Sequence, residues 1–211
     1  MIKLKDIKRH KVFISYYHED DQDYKDYLLN LNDTYNIFDD YSVHEDEIDD
    51  TGMTDEQVRR EIRDNYIAGA SVLILLCGEN TKKRKHIDWE IHAAMYDSEQ
   101  NPKMGILVIN LPSITSKSKM LAHGVDEQNA MGPNVDWVPA SREWRDIQKS
   151  YPYLPKRIAT NLTRDDVQIS IANWENIYND VNAIMLLIDS AFNRRKSNKY
   201  DHSTKLQGRN S

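Results

Sequence analysis

The chain has a single cysteine, Cys77, among 211 residues, and seven glycines. One cysteine excludes an intrachain disulfide framework and any cysteine-rich metal site. Its place inside an apolar run marks it as an inert buried thiol. The glycines nowhere form G-x-G-x-x-G, and Gly78-Glu79-Asn80-Thr81-Lys82-Lys83 is not a P-loop, which argues against a classical dinucleotide or ATP site. No apolar stretch approaches the ~20 residues of a membrane helix. The opening Met1-Ile2-Lys3-Leu4-Lys5-Asp6 lacks the apolar core of a signal peptide. Positive charge is in deficit as well: a formal net charge of -6 argues against a surface built to coat nucleic acid or an anionic membrane. These absences point to a soluble, cytoplasmic protein with no membrane or nucleic-acid partner expected.

What is present is an alternation of apolar runs with amphipathic segments. Val12-Phe13-Ile14-Ser15-Tyr16 reads as a strand, followed by N-cap candidates in His18-Glu19-Asp20-Asp21 and by Tyr24, Tyr27, Leu28 and Leu31 at helical spacing. A weaker strand is expected over 37–43, then an acidic loop over 44–52. Thr54 with Gln57 forms a capping box that opens a helix whose inward stripe is Val58, Ile62, Tyr66 and Gly69. Val72-Leu73-Ile74-Leu75-Leu76-Cys77 has the length and continuous apolarity of a buried strand. Ile87, Ile91, Ala94, Met95 and Ser98 then share one side of a helix. Residues 104–109 and 167–171 read as further strands. Ile177, Val181, Ile184, Ile188, Ala191 and Phe192 line a closing helix. The reading is an α/β, flavodoxin-like fold with a five-stranded parallel sheet and helices on both faces.

The pattern lapses between about 111 and 166, where five of the six prolines and Trp137, Trp144, Tyr151 and Tyr153 lie among polar residues. Such a segment is either a lid or an irregular insertion anchored by its aromatics, and the second reading is favoured. The chain thus divides into a basic N-terminal segment (1–11), one domain (12–196) carrying the insertion, and a polar, frayed tail (197–211).

Ligands of such sheets bind beyond the carboxyl ends of the strands, where strand order reverses. That crevice is framed by residues 15–21 and by the loops after Val43 and Cys77. Glu90 lies at the edge of its helix's apolar stripe, so its carboxylate can face the crevice. Ser15 and Tyr16 end the first strand there, with sheet packing as the alternative role. Lys82-Lys83-Arg84-Lys85 is either a pyrophosphate contact or a solvated loop. His18-Glu19-Asp20 and His44-Glu45-Asp46 are oxygen-rich clusters, read as solvated turn and helix-start residues before metal ligands; no metal is assigned.

Phe13-Ile14-Ser15-Tyr16 followed by acidic residues resembles the first strand and loop of TIR domains. Ala70-Ser71-Val72-Leu73-Ile74-Leu75-Leu76, a loop, and then Trp89-Glu90-Ile91 resemble their central strand and the Trp-Glu segment of the following helix. The likeness is to the flavodoxin-like, TIR-like proteins of bacteria that include the Thoeris antiphage proteins, and it covers 12–110. Two departures stand out: a basic run leads into the helix, and a minimal TIR domain lacks the Pro-rich insertion. The resemblance implies an NAD-processing enzyme that cleaves the nicotinamide–ribose bond and cyclises ADP-ribose to a signal molecule in antiviral defence. Glu90 would be the catalytic carboxylate, with Ser15, Tyr16, Asp40 and Trp89 as substrate contacts. Trp89 alternatively packs under the preceding loop. NAD is then substrate rather than cofactor. The implied partners are an effector protein that senses the nucleotide product and, potentially, further copies of the chain. Placement of Glu90 in the first helical turn should favour its charged form. The alternatives are a non-catalytic TIR-like adaptor acting by assembly and a metal-dependent hydrolase using the acidic clusters.

Overall fold

The computed structural model describes residues 8–42, 52–99, 101–132, 135–136 and 139–210. Five strands form one all-parallel sheet: β1 (Lys11–Ser15), β2 (Asp39–Asp40), β3 (Val72–Cys77), β4 (Gly105–Asn110) and β5 (Ser170–Asn173), in the order β2-β1-β3-β4-β5. This is the flavodoxin-like α/β architecture expected. The chain runs from β1 out to the edge at β2 and then returns past β1 to β3. Strand order therefore reverses between β1 and β3, whose register pairs Ser15 with Leu75.

The period of two along each strand divides the core into two layers. Phe13, Leu73, Leu75, Ile106 and Val108 face α2 (Asp55–Glu61), α3 (Lys85–Met95) and α6 (Lys156–Leu162). Val12, Ile14, Ile74, Leu107 and Ile109 face α1 (His18–Tyr35), α7 (Trp174–Ile177) and α8 (Val181–Arg194). The remaining helices, α4 (Val125–Met131) and α5 (Trp144–Ser150), lie between β4 and β5 in the chain. The capping box is formed as expected: the Gln57 N–H donates to Thr54 Oγ1 at 3.3 Å and the Thr54 N–H to Gln57 Oε1 at 2.8 Å. Val58 and Ile62 are buried behind it, whereas Gly69 is exposed and the Tyr66 side chain lies outside what is described. Among the described residues no helix is long and apolar enough to cross a membrane.

Several expectations need correction. The second strand is two residues long: Ile37 and Phe38 are buried before it, and Val43 and the loop residues 44–51 fall outside the described residues. The fifth strand begins at Ser170 rather than Val167, because the Gln168 N–H is taken by Asn198 Oδ1 at 2.8 Å before the chain reaches β4. The closing helix is split, and Asp180 caps α8 by accepting from the Asn182 and Ala183 N–H groups. The insertion carries α4, α5 and α6. Tyr151 is buried as an aromatic anchor, but Trp144 is exposed, and the buried side chains of the insertion are mainly aliphatic, Ile147, Leu154, Ile158 and Leu162 among them. Trp137 lies outside the described residues.

The tail is not frayed over its described length to 210. Tyr200 is buried, with its hydroxyl donating to the Met104 carbonyl at 3.0 Å. The Asp201 N–H donates to Asn161 Oδ1 at 2.8 Å. Arg157 decides the rest. Fully buried, it donates from Nε and Nη2 to both oxygens of Asp88 at 3.0 and 2.9 Å, and from Nη1 to the Thr204 carbonyl at 2.8 Å. Asp88 also accepts from the Gln207 N–H at 2.9 Å. Polar composition alone misled here, because the tail is held by hydrogen bonds more than by apolar area. The N-terminal segment is anchored from His10, which stacks on Phe192 and meets Asp189 Oδ1 at 2.8 Å.

Removing one member of a buried ion pair leaves the other uncompensated. Arg157→Ala is therefore expected to lower the unfolding free energy by about 3–5 kcal/mol in urea denaturation. Gly105→Ala should also destabilise strongly, because a Cβ there would stand 2.0 Å from the Ala191 carbonyl oxygen. A backbone collision of that kind is expected to cost about 3 kcal/mol, and a Tm unchanged from wild type would contradict the β4–α8 packing.

Candidate active site

Ser15 is the last residue of β1 and shares with Phe13 the face covered by α3. Its Oγ donates to Glu90 Oε2 at 2.6 Å. The helix is placed by Ile87, Ile91, Ala94 and Met95, all buried against the sheet as the spacing predicts; it ends at Met95, before Ser98. The pair therefore sits at the carboxyl ends of β1 and β3, at the point of strand-order reversal. Ser15 is buried and Glu90 keeps partial access to solvent.

The electrostatics of Glu90 overturn one expectation. Glu90 is the sixth residue of α3, so the helix start lies more than a turn away. Burial dominates and pushes its carboxyl up to about 7, with the Ser15 hydrogen bond pulling partly back. Among the described residues no cation offsets the burial. An acid whose pKa is raised on folding favours the folded state fully below its unfolded value, here 4.5, and that contribution is lost as pH rises to about 7.

The other anticipated contacts do not converge on Glu90. Tyr16, one residue beyond Ser15, turns to the opposite face of the sheet, where its hydroxyl donates to Gln22 Oε1 at 2.7 Å under Lys25. Asp40 is exposed at the sheet edge and accepts from the Ser42 N–H at 2.9 Å; Ser42 Oγ in turn accepts from the Ile14 N–H. Trp89 is buried beneath the tail, its Nε1 donating to the Gln207 carbonyl at 2.9 Å, with His86 stacked and Lys85 on its ring. It packs as the alternative reading had it, although the covering element is the tail rather than the preceding loop. The first acidic cluster is dispersed: Glu19 bonds Tyr17 and Asp20 bonds Asn80. The second lies outside the described residues.

One carboxyl was not anticipated. Asp21 is buried in the first turn of α1, where burial and then the neighbouring Asp20 charge push its pKa up to about 6; its Oδ2 has no hydrogen-bond partner. Gly78, directly after β3, makes room for it, since a Cβ would stand 2.8 Å from Asp21 Oδ1. The glycine after a buried strand was the available signal, but Asp21 stands in an acidic run that helix starts favour on their own.

Residues 13–116 match the TIR-like domain of the Thoeris protein ThsB. Over this segment, just under half of its length, the chain is similar to that family. The matched range runs from within β1 through β4 and includes this chain's Ser15 and Glu90, whereas α4 to α8 and β5 lie beyond it. That similarity supports a role in antiphage defence. A search of the curated proteins returns no match.

Glu90→Gln removes a carboxyl that is costly to ionise while keeping an acceptor for Ser15. A raised pKa of this size corresponds to on the order of 3 kcal/mol once the group is charged. The variant is expected to be more stable than wild type at pH 8, with the gain vanishing near pH 4.5, as read from paired urea titrations. A pH-independent difference would refute the burial of Glu90.

Proposed function

We propose that the protein is an NAD-processing enzyme of the Thoeris TIR-like kind, with Glu90 as its catalytic carboxylate and Ser15 as the residue that positions it. The supporting observation is the 2.6 Å Ser15–Glu90 hydrogen bond at the reversal point of the sheet, in a carboxyl tuned to about pH 7. In the reaction the bond between ribose C1′ and the nicotinamide nitrogen breaks, and its electron pair leaves with nicotinamide as a neutral base. The leaving group needs no proton, so stabilising the oxocarbenium-like ribose is the hard part. A carboxylate beside the ribose supplies that stabilisation, and the positive charge of NAD's nicotinamide ring favours the ionised form of Glu90 on binding.

The second step is capture of C1′. Attack by water releases a proton and gives ADP-ribose; attack by a hydroxyl of the same molecule releases a proton and closes a cyclic ADP-ribose isomer. A carboxylate with a pKa near the working pH is suited to accept that proton. We read the cyclic product as the signal, with NAD as substrate and a separate effector protein as its receiver.

The test is release of nicotinamide from NAD, followed by mass spectrometry, using purified protein and extracts of phage-infected cells that express it. Glu90→Gln is expected to lower the rate by at least about 100-fold. The wild-type rate should rise with pH through a transition near 7. Ser15→Ala, which removes the hydrogen bond that lowers the Glu90 pKa, should move that transition to higher pH. Unconsumed NAD in both settings, or a Glu90→Gln variant as active as wild type, would overturn the proposal. An assembly adaptor would instead signal undiminished with Glu90→Ala.

A further inference from the structure

Away from the Ser15–Glu90 pair, positive charge collects in a cleft of about 720 Å³ between the β3–α3 loop, the start of α6 and the tail. Among the described residues its lining holds Lys82, Arg84, Lys156, Lys205 and Arg209 against a single acid, Asp88, in a chain whose net charge is -6. Asp88 is already committed to fully buried Arg157, so it does not offset the five. Lys82 Nζ donates to the Pro152 carbonyl at 2.7 Å, a neutral acceptor. The Arg84 guanidinium lies 3.7 Å from the centroid of the Tyr17 ring, and its Nε is buried with no hydrogen-bond partner. Lys156, Lys205 and Arg209 are exposed, and among the described residues none of their side chains hydrogen-bonds or pairs with a carboxylate.

Five cations brought into one concavity from three distant parts of the chain repel one another and raise the local potential. We propose that this cleft is a binding site for a pyrophosphate-bearing small molecule. A volume of this size is that of a small-molecule site rather than a flat protein contact. Arginine and lysine together suit phosphate oxygens, the guanidinium by paired hydrogen bonds and the ammonium groups as point charges. Among the described residues no aromatic lines the cleft, so recognition runs through the phosphates and not through a stacked base. The bound anion bridges α6 to the tail and to the loop that leads into α3. The site shares no residue with the Ser15–Glu90 pair and does not rest on NAD cleavage.

Calorimetric titration of the full chain with inorganic pyrophosphate tests this. Binding is expected at about 50 mM salt and should weaken several-fold at about 200 mM, as screening requires. ADP should bind comparably, and adenosine should not. The double substitution Lys156→Ala with Arg209→Ala, both on exposed side chains, should weaken pyrophosphate binding by at least about tenfold while leaving Tm unchanged. Glu90→Gln should bind pyrophosphate as wild type does, so failure of the NAD reading and failure of this one are separable. Absence of binding at low salt, adenosine binding as well as ADP, an unaffected double variant, or an acidic peptide outcompeting pyrophosphate would each overturn the proposal.

Discussion

The buried pair of Arg157 with Asp88 holds three otherwise separate parts of the molecule in one arrangement. Arg157 belongs to the insertion, Asp88 to the helix that follows the central strand, and the carbonyls and N–H of Thr204 and Gln207 to the tail. Buried ion pairs contribute little net stability compared with apolar packing, but they are intolerant of misplacement, because any shift leaves a charge unpaired. The pair thus acts as a register pin. It fixes where α6 lies along α3, and it converts a polar tail into a strap that covers Trp89.

Helix α3 consequently carries two neighbouring acids in opposite circumstances. Asp88 meets a guanidinium and two layers of hydrogen bonds, whereas Glu90, two residues on, meets a serine hydroxyl and no cation. Two residues along a helix turn the side chain by about 200°, so one acid is directed to the strap and the other to the crevice. Sealing the far side of the helix leaves the crevice as the direction from which Glu90 is approached. The raised pKa of Glu90 follows from that one-sided exposure. The second buried acid, Asp21, owes its position to the missing side chain at Gly78.

The strands most evident in the sequence were those with no alternative environment. The run 72–77 is apolar at every position and lies at the centre of the sheet, and the Thr54–Gln57 box is a local interaction readable without tertiary knowledge. Glu90 and Ser15 were legible as a pair because both follow from strand period, helix period and the reversal of strand order. Tyr16 lies on the other side of the sheet from Glu90 by one step of the same period: residue i+1 of a strand faces the other layer. Trp89 was legible as scaffold but not its cover, since nothing local in residues 197–210 foretells that Gln207 will meet it. The sign of the Glu90 shift was missed because helix-dipole reasoning is local, while desolvation depends on what the rest of the chain places overhead. Asp21 was hidden for a related reason, as an acid among acids whose burial is decided by a glycine nearly sixty positions away.

The close approach of Gly105 to Ala191 has a consequence for biosynthesis. A ribosome that has released residues up to 116 has delivered four of the five strands and the whole segment shared with the ThsB family. Yet the face of β4 bearing Leu107 and Ile109 still waits for α8, whose backbone rests against the bare Gly105 Cα. Until Val181–Arg194 emerges, that apolar face is open to water and to other nascent chains. The segment similar to the ThsB family is therefore shorter than the unit of folding, which extends some eighty residues further along the chain.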